Sequence, residues 1–130
     1  MLILNNGMRN SFERNDFMDL EIKNNCLIVS PTGELDSHYA DLMRDKIDAT
    51  AKKYGLKNII INLKNVAFMD SSGIGLIVGR YKFTTRRGGV TAAAQAPAEL
   101  KKLLVLSGLH RIITVYDNID DALKSIERSH

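Results

Sequence analysis

The sequence has few of the residues that build disulfides, zinc sites and membrane spans. Its 130 residues include one cysteine, three histidines and no tryptophan. Cys26 cannot form an internal disulfide or supply the paired cysteines of a zinc site, and its apolar neighbours are typical of a buried thiol. No stretch reaches the roughly 18 consecutive apolar residues of a membrane helix, and the first residues lack the basic start of a signal peptide. We therefore expect a cytoplasmic protein without a metal, a cofactor or a membrane contact.

Charge is spread unevenly along the chain. The formal net charge is +3, and 45% hydrophobic with 25% charged residues is the composition of a globular domain. Residues 80–111 hold seven basic residues and one acidic residue, so that segment alone carries +6. Such a segment suits an acidic protein or a nucleic acid. Because only 6% of the residues are aromatic and no nucleic-acid-binding motif is present, we favour a solvated face or a protein docking surface.

The chain divides into a polar extension and one domain. Residues 1–17 are rich in asparagine and have no apolar period, so they predict a poorly ordered N-terminal extension. Residues 18–130 are predicted to form the folded domain, and Met18 is a second candidate for the start of the protein.

Strand and helix patterns alternate along the domain. Its start predicts a β-hairpin, because 20–23 alternates, Asn24 and Asn25 form a turn, and 26–30 is apolar. Further strands are predicted at 58–63, 90–94 and 112–116, and helices between Asp36 and Gly55, at about 72–85, between Pro97 and Gly108, and up to about Arg128. This order predicts an α/β fold: a mixed, mostly parallel sheet with an initial antiparallel hairpin and about four helices.

One junction between a strand and a helix concentrates polar residues. Residues 68–75 read Phe-Met-Asp-Ser-Ser-Gly-Ile-Gly. Their carboxylate and hydroxyls lie beside the unpaired N–H groups and the positive end of the helix dipole, where anions are favoured. Asp70, Ser71 and Ser72 are each suited to cap the helix.

Glycines recur in the helix after this junction. They are Gly73, Gly75 and Gly79. Each weakens a helix by about 0.5 to 1 kcal/mol relative to alanine. Their recurrence indicates that something approaches the helix closely, either the protein's own sheet or the surface of a partner.

Common catalytic patterns are missing from this junction. The Gly-x-Ser-x-Gly elbow fails, because Met69 and Asp70 stand two residues before the serines. No Gly-Lys-Ser/Thr follows the glycines, as a Walker loop requires. His38, His110 and His130 lie at a helix start, in a loop and at the terminus, where surface histidines are common. We predict no catalytic residue.

Four segments resemble the anti-sigma factor antagonist family: Gly-Glu-Leu-Asp at 33–36, the run at 68–75, Gly-Arg-Tyr-Lys at 79–82 and Leu-Ser-Gly-Leu at 106–109. These proteins are stand-alone STAS domains, and the likeness to the SpoIIAA type covers about residues 18–126. The resemblance implies a STAS fold and phosphorylation of Ser71 by an anti-sigma factor that is also a serine kinase. It implies that the unphosphorylated chain binds this kinase and frees a sigma factor, in sporulation or a stress response. It further implies a serine phosphatase that resets the switch, and a free chain that is a monomer.

The junction and the resemblance together give a predicted partner-binding set. Its members are Asp36, Asp70, Ser71, Ser72, Gly73, Gly75 and Arg80. Asp36 is equally suited to be a helix cap, and Arg80 to be a solvated helix charge. With Ser71 carrying phosphate, Ser72 is predicted to cap the helix and to contribute about 1 kcal/mol of stability. The alternative is a STAS module of a transporter or stress-signalling assembly, or one that holds a small ligand, without a sigma factor.

Overall fold

A computed structural model describes residues 2–4, 11–14 and 17–128 of the chain. The strands of these residues are β1 (Leu2–Leu4), β2 (Ser11–Arg14), β3 (Met18–Lys23), β4 (Cys26–Pro31), β5 (Gly33–Leu35), β6 (Asn58–Asn62), β7 (Val66–Met69), β8 (Thr91–Ala94) and β9 (Val115–Tyr116). The helices are α1 (Ser37–Lys53), α2 (Ser71–Arg86), α3 (Ala98–Leu106) and α4 (Ile119–Arg128), with a 3₁₀ turn at Leu109–Arg111. The four helices predicted from the sequence are confirmed.

Seven strands form one mixed sheet in the order β1-β2-β3-β4-β6-β8-β9. The strands from β1 to β4 pair antiparallel, and β4, β6, β8 and β9 pair parallel. Asn24 and Asn25 join β3 to β4 with φ angles of 52° and 63°. Asparagine adopts this left-handed conformation more readily than most residues, as a two-residue hairpin turn requires. The predicted mixed sheet and its opening hairpin are confirmed.

The N-terminal segment, predicted as a poorly ordered extension over 1–17, contains two strands of this sheet. β2 pairs antiparallel with β3, and β1 pairs with β2. The sequence pattern did not predict these strands, because they carry no regular alternation. Residues 1, 5–10, 15 and 16 lie outside the described residues, so the predicted disorder stays a prediction there.

Helices cover both faces of the sheet. Ile59 and Ile61 of β6 pack into one core with side chains of α1, α2 and α3. Ile60, between them, packs on the other face against Leu123 and Ile126 of α4. Successive strand side chains point to opposite faces, so this apolar run is buried on both sides.

A separate two-stranded sheet positions the two helix starts. β5 and β7 pair in parallel, with Leu35 opposite Met69. Asp36 directly follows β5 and Asp70 directly follows β7. Parallel strands run in the same direction, so β5 and β7 both finish at the same end of the small sheet. The helices that follow them, α1 and α2, therefore begin side by side.

The chain between α3 and α4 differs from the prediction. The sequence predicts a strand over 112–116, but only the last two residues of this range, β9, are extended. The residues before it, 109–111, form a 3₁₀ turn. Gly108 adopts φ +81° after α3, and this left-handed turn redirects the chain. The Thr114 carbonyl then accepts a hydrogen bond from the Ala93 N–H at 3.0 Å, which joins this segment to the sheet.

Candidate functional site

The two helix starts at the end of the small sheet are both capped by aspartate. Asp36 Oδ1 accepts a hydrogen bond from the His38 N–H at 3.0 Å. Asp70 Oδ1 accepts two, from the Ser72 N–H at 2.8 Å and the Gly73 N–H at 3.3 Å. The capping interpretation of Asp36 is therefore confirmed.

The prediction that Ser72 caps α2 is wrong. Ser72 is the second residue of the helix, and its own N–H is one of the groups that Asp70 satisfies. A side chain must precede the first helical turn to accept from it, and Asp70 occupies that place with extended backbone angles. Ser71 is the first residue of α2, and its side chain is exposed.

The glycines of α2 divide into two kinds. A Cβ at Gly73 would lie 2.5 Å from the Leu35 carbonyl oxygen and would also overlap Met69 Cγ. A Cβ at Gly75 or Gly79 would meet nothing within 4 Å. Of the three glycines, only Gly73 is closely approached by the protein's own strands, and the surfaces at Gly75 and Gly79 stay open.

These open glycines lie in a pocket of about 400 Å³ between α1 and α2, which we call the α1–α2 pocket. It is lined by Ser37, Ala40, Asp41 and Arg44 of α1 and by Ser72, Gly75, Leu76, Gly79 and Arg80 of α2. Five of these nine residues are small, and the two serines lie near the helix starts while Arg44 and Arg80 lie about two turns further along. Of the predicted partner-binding set, Ser72, Gly75 and Arg80 meet here, whereas Gly73 is buried behind it.

Arg80 lies inside the protein rather than on an open helix face. It is 5% exposed, and its Nε lies 2.9 Å from Oδ1 of Asp48 on α1. These atoms are at ion-pair distance but lack the alignment of a hydrogen bond, and Arg80 Nη1 has no hydrogen-bond partner either. Burial lowers the pKa of Arg80, and burial raises the pKa of Asp48 by more than Arg80 lowers it. The pair joins α1 to α2, and a role of Arg80 in partner binding stays a prediction.

Exposed apolar residues near the two helix starts were missed by the sequence analysis. Phe68 of β7 is 52% exposed, two residues before Asp70, and Leu42 and Tyr39 of α1 are also exposed. Phe68 stands in an apolar run that reads as core, so no sequence signal identified it. Aromatic side chains such as Phe68 and Tyr39 are enriched at protein interfaces.

Two further features of the described part of the chain concern metal binding and the Cys26 thiol. Its His, Cys, Asp and Glu residues form no group of three or more that would hold a metal ion. Cys26 is buried, and burial raises the pKa of its thiol to about 11. A thiol with that pKa is almost wholly protonated at neutral pH and therefore a poor nucleophile.

Within the described residues, no helix combines the length and the apolar character needed to cross a membrane.

A mixed sheet with three helices on one face and one on the other, and a serine after an aspartate cap, define a STAS-type domain. The family model of the STAS domain matches residues 17–122, and the chain belongs to this family. Among its relatives is the anti-sigma F factor antagonist of Paenibacillus polymyxa. The two are 39% identical over 110 residues, which cover 85% of this chain and 94% of the relative.

Solved structures agree with this assignment. The anti-sigma factor antagonist SpoIIAA in its unphosphorylated form is 27% identical, with a TM-score of 0.75 over 85% of this chain and 96% of that chain. The Bacillus cell fate determinant SpoIIAA in its phosphorylated form is 29% identical, with a TM-score of 0.65 over 84% and 98%. The predicted fold class and family are therefore confirmed.

Proposed function

We propose that this protein is an anti-sigma factor antagonist whose binding is switched at Ser71. In this proposal the unphosphorylated chain, a monomer in the cytoplasm, binds an anti-sigma factor that is also a serine kinase, and a sigma factor is released. Phosphorylation of Ser71 by that kinase abolishes binding, and a serine phosphatase restores it. The observation that carries the proposal is the exposed Ser71 at the first position of α2, beside an open pocket. Relatives of the chain that bear the antagonist name support it.

The helix start can accept a phosphate without unfolding. A phosphoserine adds about −1.5 to −2 charge and three acceptor oxygens. At the first position of a helix, this charge meets unpaired N–H groups and the positive end of the dipole. The fold should therefore change little, and phosphorylation should act by weakening the contact between this surface and the partner.

A partner would meet both apolar and open surfaces around Ser71. Phe68 offers an exposed aromatic ring next to the site, and Gly75 leaves room for close approach of a partner's backbone. The carboxylates of Asp36 and Asp70 accept hydrogen bonds from backbone N–H groups at the two helix starts. We therefore assign these two residues an indirect role, which is to position the surface around Ser71. Phosphate beside the Asp70 carboxylate would place both bulk and concentrated negative charge at this contact, and would repel the partner.

Binding to the anti-sigma factor from the same genome tests the proposal. Ser71→Asp should weaken binding at least tenfold, which is about 1.4 kcal/mol. Lys124→Glu is the control, because Lys124 is exposed and lies on α4, on the other face of the sheet. We expect Lys124→Glu to weaken binding less than threefold.

Mass spectrometry after mixing both proteins with ATP should find phosphate on Ser71 of the wild-type chain and none on the Ser71→Ala variant. Equal binding by the wild-type chain and Ser71→Asp would contradict the switch. Absence of phosphoryl transfer would favour a STAS module of another signalling or transport assembly.

A further inference from the structure

The parallel strands of the main sheet bring several segments together at one edge. β4, β6, β8 and β9 run in the same direction, so the segments that lead into them lie at their common amino ends. Three of these segments include the ends of α1, α2 and α3. The end of α4 joins them, because Asn24 Nδ2 donates to Glu127 Oε1 at 3.1 Å. We call the last turn of each helix and the residues before the next strand the amino edge, which consists of residues 23–25, 50–57, 83–90, 103–114 and 125–128.

Contacts hold the ends of α1 and α2 together at the amino edge. Arg87 Nη2, just after α2, donates to the Leu56 carbonyl, shortly after α1, at 3.1 Å. Lys52 Nζ lies 6.0 Å from the centre of the Phe83 ring, and the Arg87 guanidinium carbon lies 5.1 Å from the same centre. The cations of the two helix ends therefore belong to one surface.

The amino edge is strongly basic. It contains one acidic residue, Glu127, and eight basic residues, a net charge of +7: Lys23, Lys52, Lys53, Lys57, Arg86, Arg87, Arg111 and Arg128. Four of the eight lie in the last turn of a helix, where a cation offsets the negative end of the helix dipole. The other four lie outside the α-helices, so the basic charge exceeds what the helix ends require.

Charges in the neighbouring turns do not cancel this excess. Three ion pairs lie there, with 2.9 to 3.9 Å between their atoms: Arg80–Asp48, Lys101–Asp117 and Lys102–Glu99. Each pair is neutral as a whole and leaves the net charge of the amino edge unchanged.

The opposite edge of the sheet has the reverse charge. It comprises the segments after the same four strands up to the first turn of each helix, residues 32–40, 63–74, 95–101 and 117–122, which we call the carboxyl edge. Ser71 lies here. The carboxyl edge contains two basic residues, Lys64 and Lys101, and seven acidic residues, a net charge of −5: Glu34, Asp36, Asp70, Glu99, Asp117, Asp120 and Asp121. An anionic surface therefore attracts one edge of the domain and repels the edge that holds Ser71.

Apolar side chains stand among the cations of the amino edge. Seven large apolar residues stay exposed in the described part of the chain, and four of them lie at this edge: Val90, Val105, Leu106 and Ile112. A lipid surface with anionic headgroups binds both kinds of side chain, because the cations contact the headgroups and the apolar groups enter the acyl boundary. The phosphates of a nucleic acid attract the cations but offer nothing to the apolar groups.

The form of the amino edge also favours a membrane surface. Its aromatic rings, Tyr54 and Phe83, are half-buried and each lies under a cation, so neither is free to stack on a base. Four strands span about 14 Å and the helices on each face add about 10 Å, so the cations spread over a broad area. An acidic peptide would cover part of this area, whereas a layer of headgroups contacts all of it.

We propose that the amino edge binds reversibly to a membrane surface that contains anionic phospholipid. Because the same surface repels the carboxyl edge, the bound chain presents Ser71 to the solution, where a kinase can reach it. This contact goes beyond the proposed switch and does not depend on it. The sequence analysis predicted no membrane contact, because the cations come from separate segments that only the folded sheet brings together.

The test is sedimentation of the full-length chain with lipid vesicles. Mixed vesicles of phosphatidylglycerol and phosphatidylcholine should bind the chain, and vesicles of phosphatidylcholine alone should bind it at least tenfold more weakly. High salt should release the chain, because it screens the contact. Lys57→Glu/Arg111→Glu should weaken binding at least tenfold, since one basic residue near an anionic surface contributes about fivefold. Both residues are exposed and lie outside the α-helices, so this variant should fold.

Lys64→Glu/Lys101→Glu is the matched control, because it changes the net charge equally at the carboxyl edge, where both lysines are exposed. It should bind the mixed vesicles within threefold of the wild-type chain, and so should Ser71→Asp. Lys57→Glu/Arg111→Glu should still bind the anti-sigma factor, which separates failure of this inference from failure of the proposed switch.

Equal losses of vesicle binding in the two double variants would overturn the inference, because net charge rather than the amino edge would then decide. So would equal binding to both kinds of vesicle. Absence of vesicle binding would also overturn it, whether or not the amino edge binds duplex DNA or a polyglutamate peptide instead.

Discussion

The two helix starts beside the α1–α2 pocket share an Asp-Ser dipeptide but differ in the next two residues. Asp36-Ser37 begins α1 and Asp70-Ser71 begins α2, and each aspartate accepts from the first turn of its helix. After Ser37 come two rings, and His38 and Tyr39 pack edge to face with centroids 4.4 Å apart. After Ser71 come Ser72 and Gly73, which have almost no side-chain bulk.

The difference shows how one of two similar serines becomes fixed to the rest of the fold. At α2, Gly73 lies directly against Leu35 of β5, the strand that leads into α1. The start of α2 is therefore pressed onto the small sheet, whereas residues 37–39 at the start of α1 are all exposed. The backbone of Ser71 is therefore held against the small sheet, two residues before this contact.

The largest expected effect comes from closing the gap at Gly73. Gly73→Ala places a methyl group 2.5 Å from the Leu35 carbonyl oxygen and 2.9 Å from Leu35 Cβ, where backbone must move. We expect a loss of about 3 kcal/mol in the free energy of unfolding, measured by urea denaturation.

Gly75→Ala is the matched control for this prediction, because a methyl group there meets nothing within 4 Å. Alanine favours the helix, so Gly75→Ala should stabilise the chain by about 0.5 to 1 kcal/mol. Equal effects of the two substitutions would show that close packing against Leu35 does not hold the start of α2.

The caps should show a smaller difference in the same direction. Asp70 satisfies two N–H groups and Asp36 satisfies one. Asp70→Ala should therefore lower the free energy of unfolding by about 1.5 to 2 kcal/mol, and Asp36→Ala by about 1 kcal/mol. Urea denaturation of both variants at the same pH and salt measures the comparison. A larger loss for Asp36→Ala would reverse our view of which helix start is held more firmly.

The sequence predicts the parts of this site that depend on local pattern. The bounds of α1 follow from apolar spacing between Asp36 and Gly55, and the start of α2 follows from the polar run before its glycines. The pairing of β5 with β7 could not be predicted in this way, because each strand has only three or four residues and gains its partner from a distant segment. The burial of Arg80 depends on Asp48 of another helix, so helical periodicity alone suggests a solvated charge.

The smallest expected effect comes from removing the Ser72 hydroxyl at the start of α2. Since Asp70 is the acceptor at this helix start and Ser72 only donates its backbone N–H, the Ser72 hydroxyl is not needed there. Alanine is the better helix former, so Ser72→Ala should change the free energy of unfolding by less than about 0.5 kcal/mol, and towards stability. A thermal melt beside that of Asp70→Ala measures this, because a loss of about 1 kcal/mol lowers the melting temperature by several degrees. Such a loss in Ser72→Ala would mean that the hydroxyl shares the capping role with the Asp70 carboxylate.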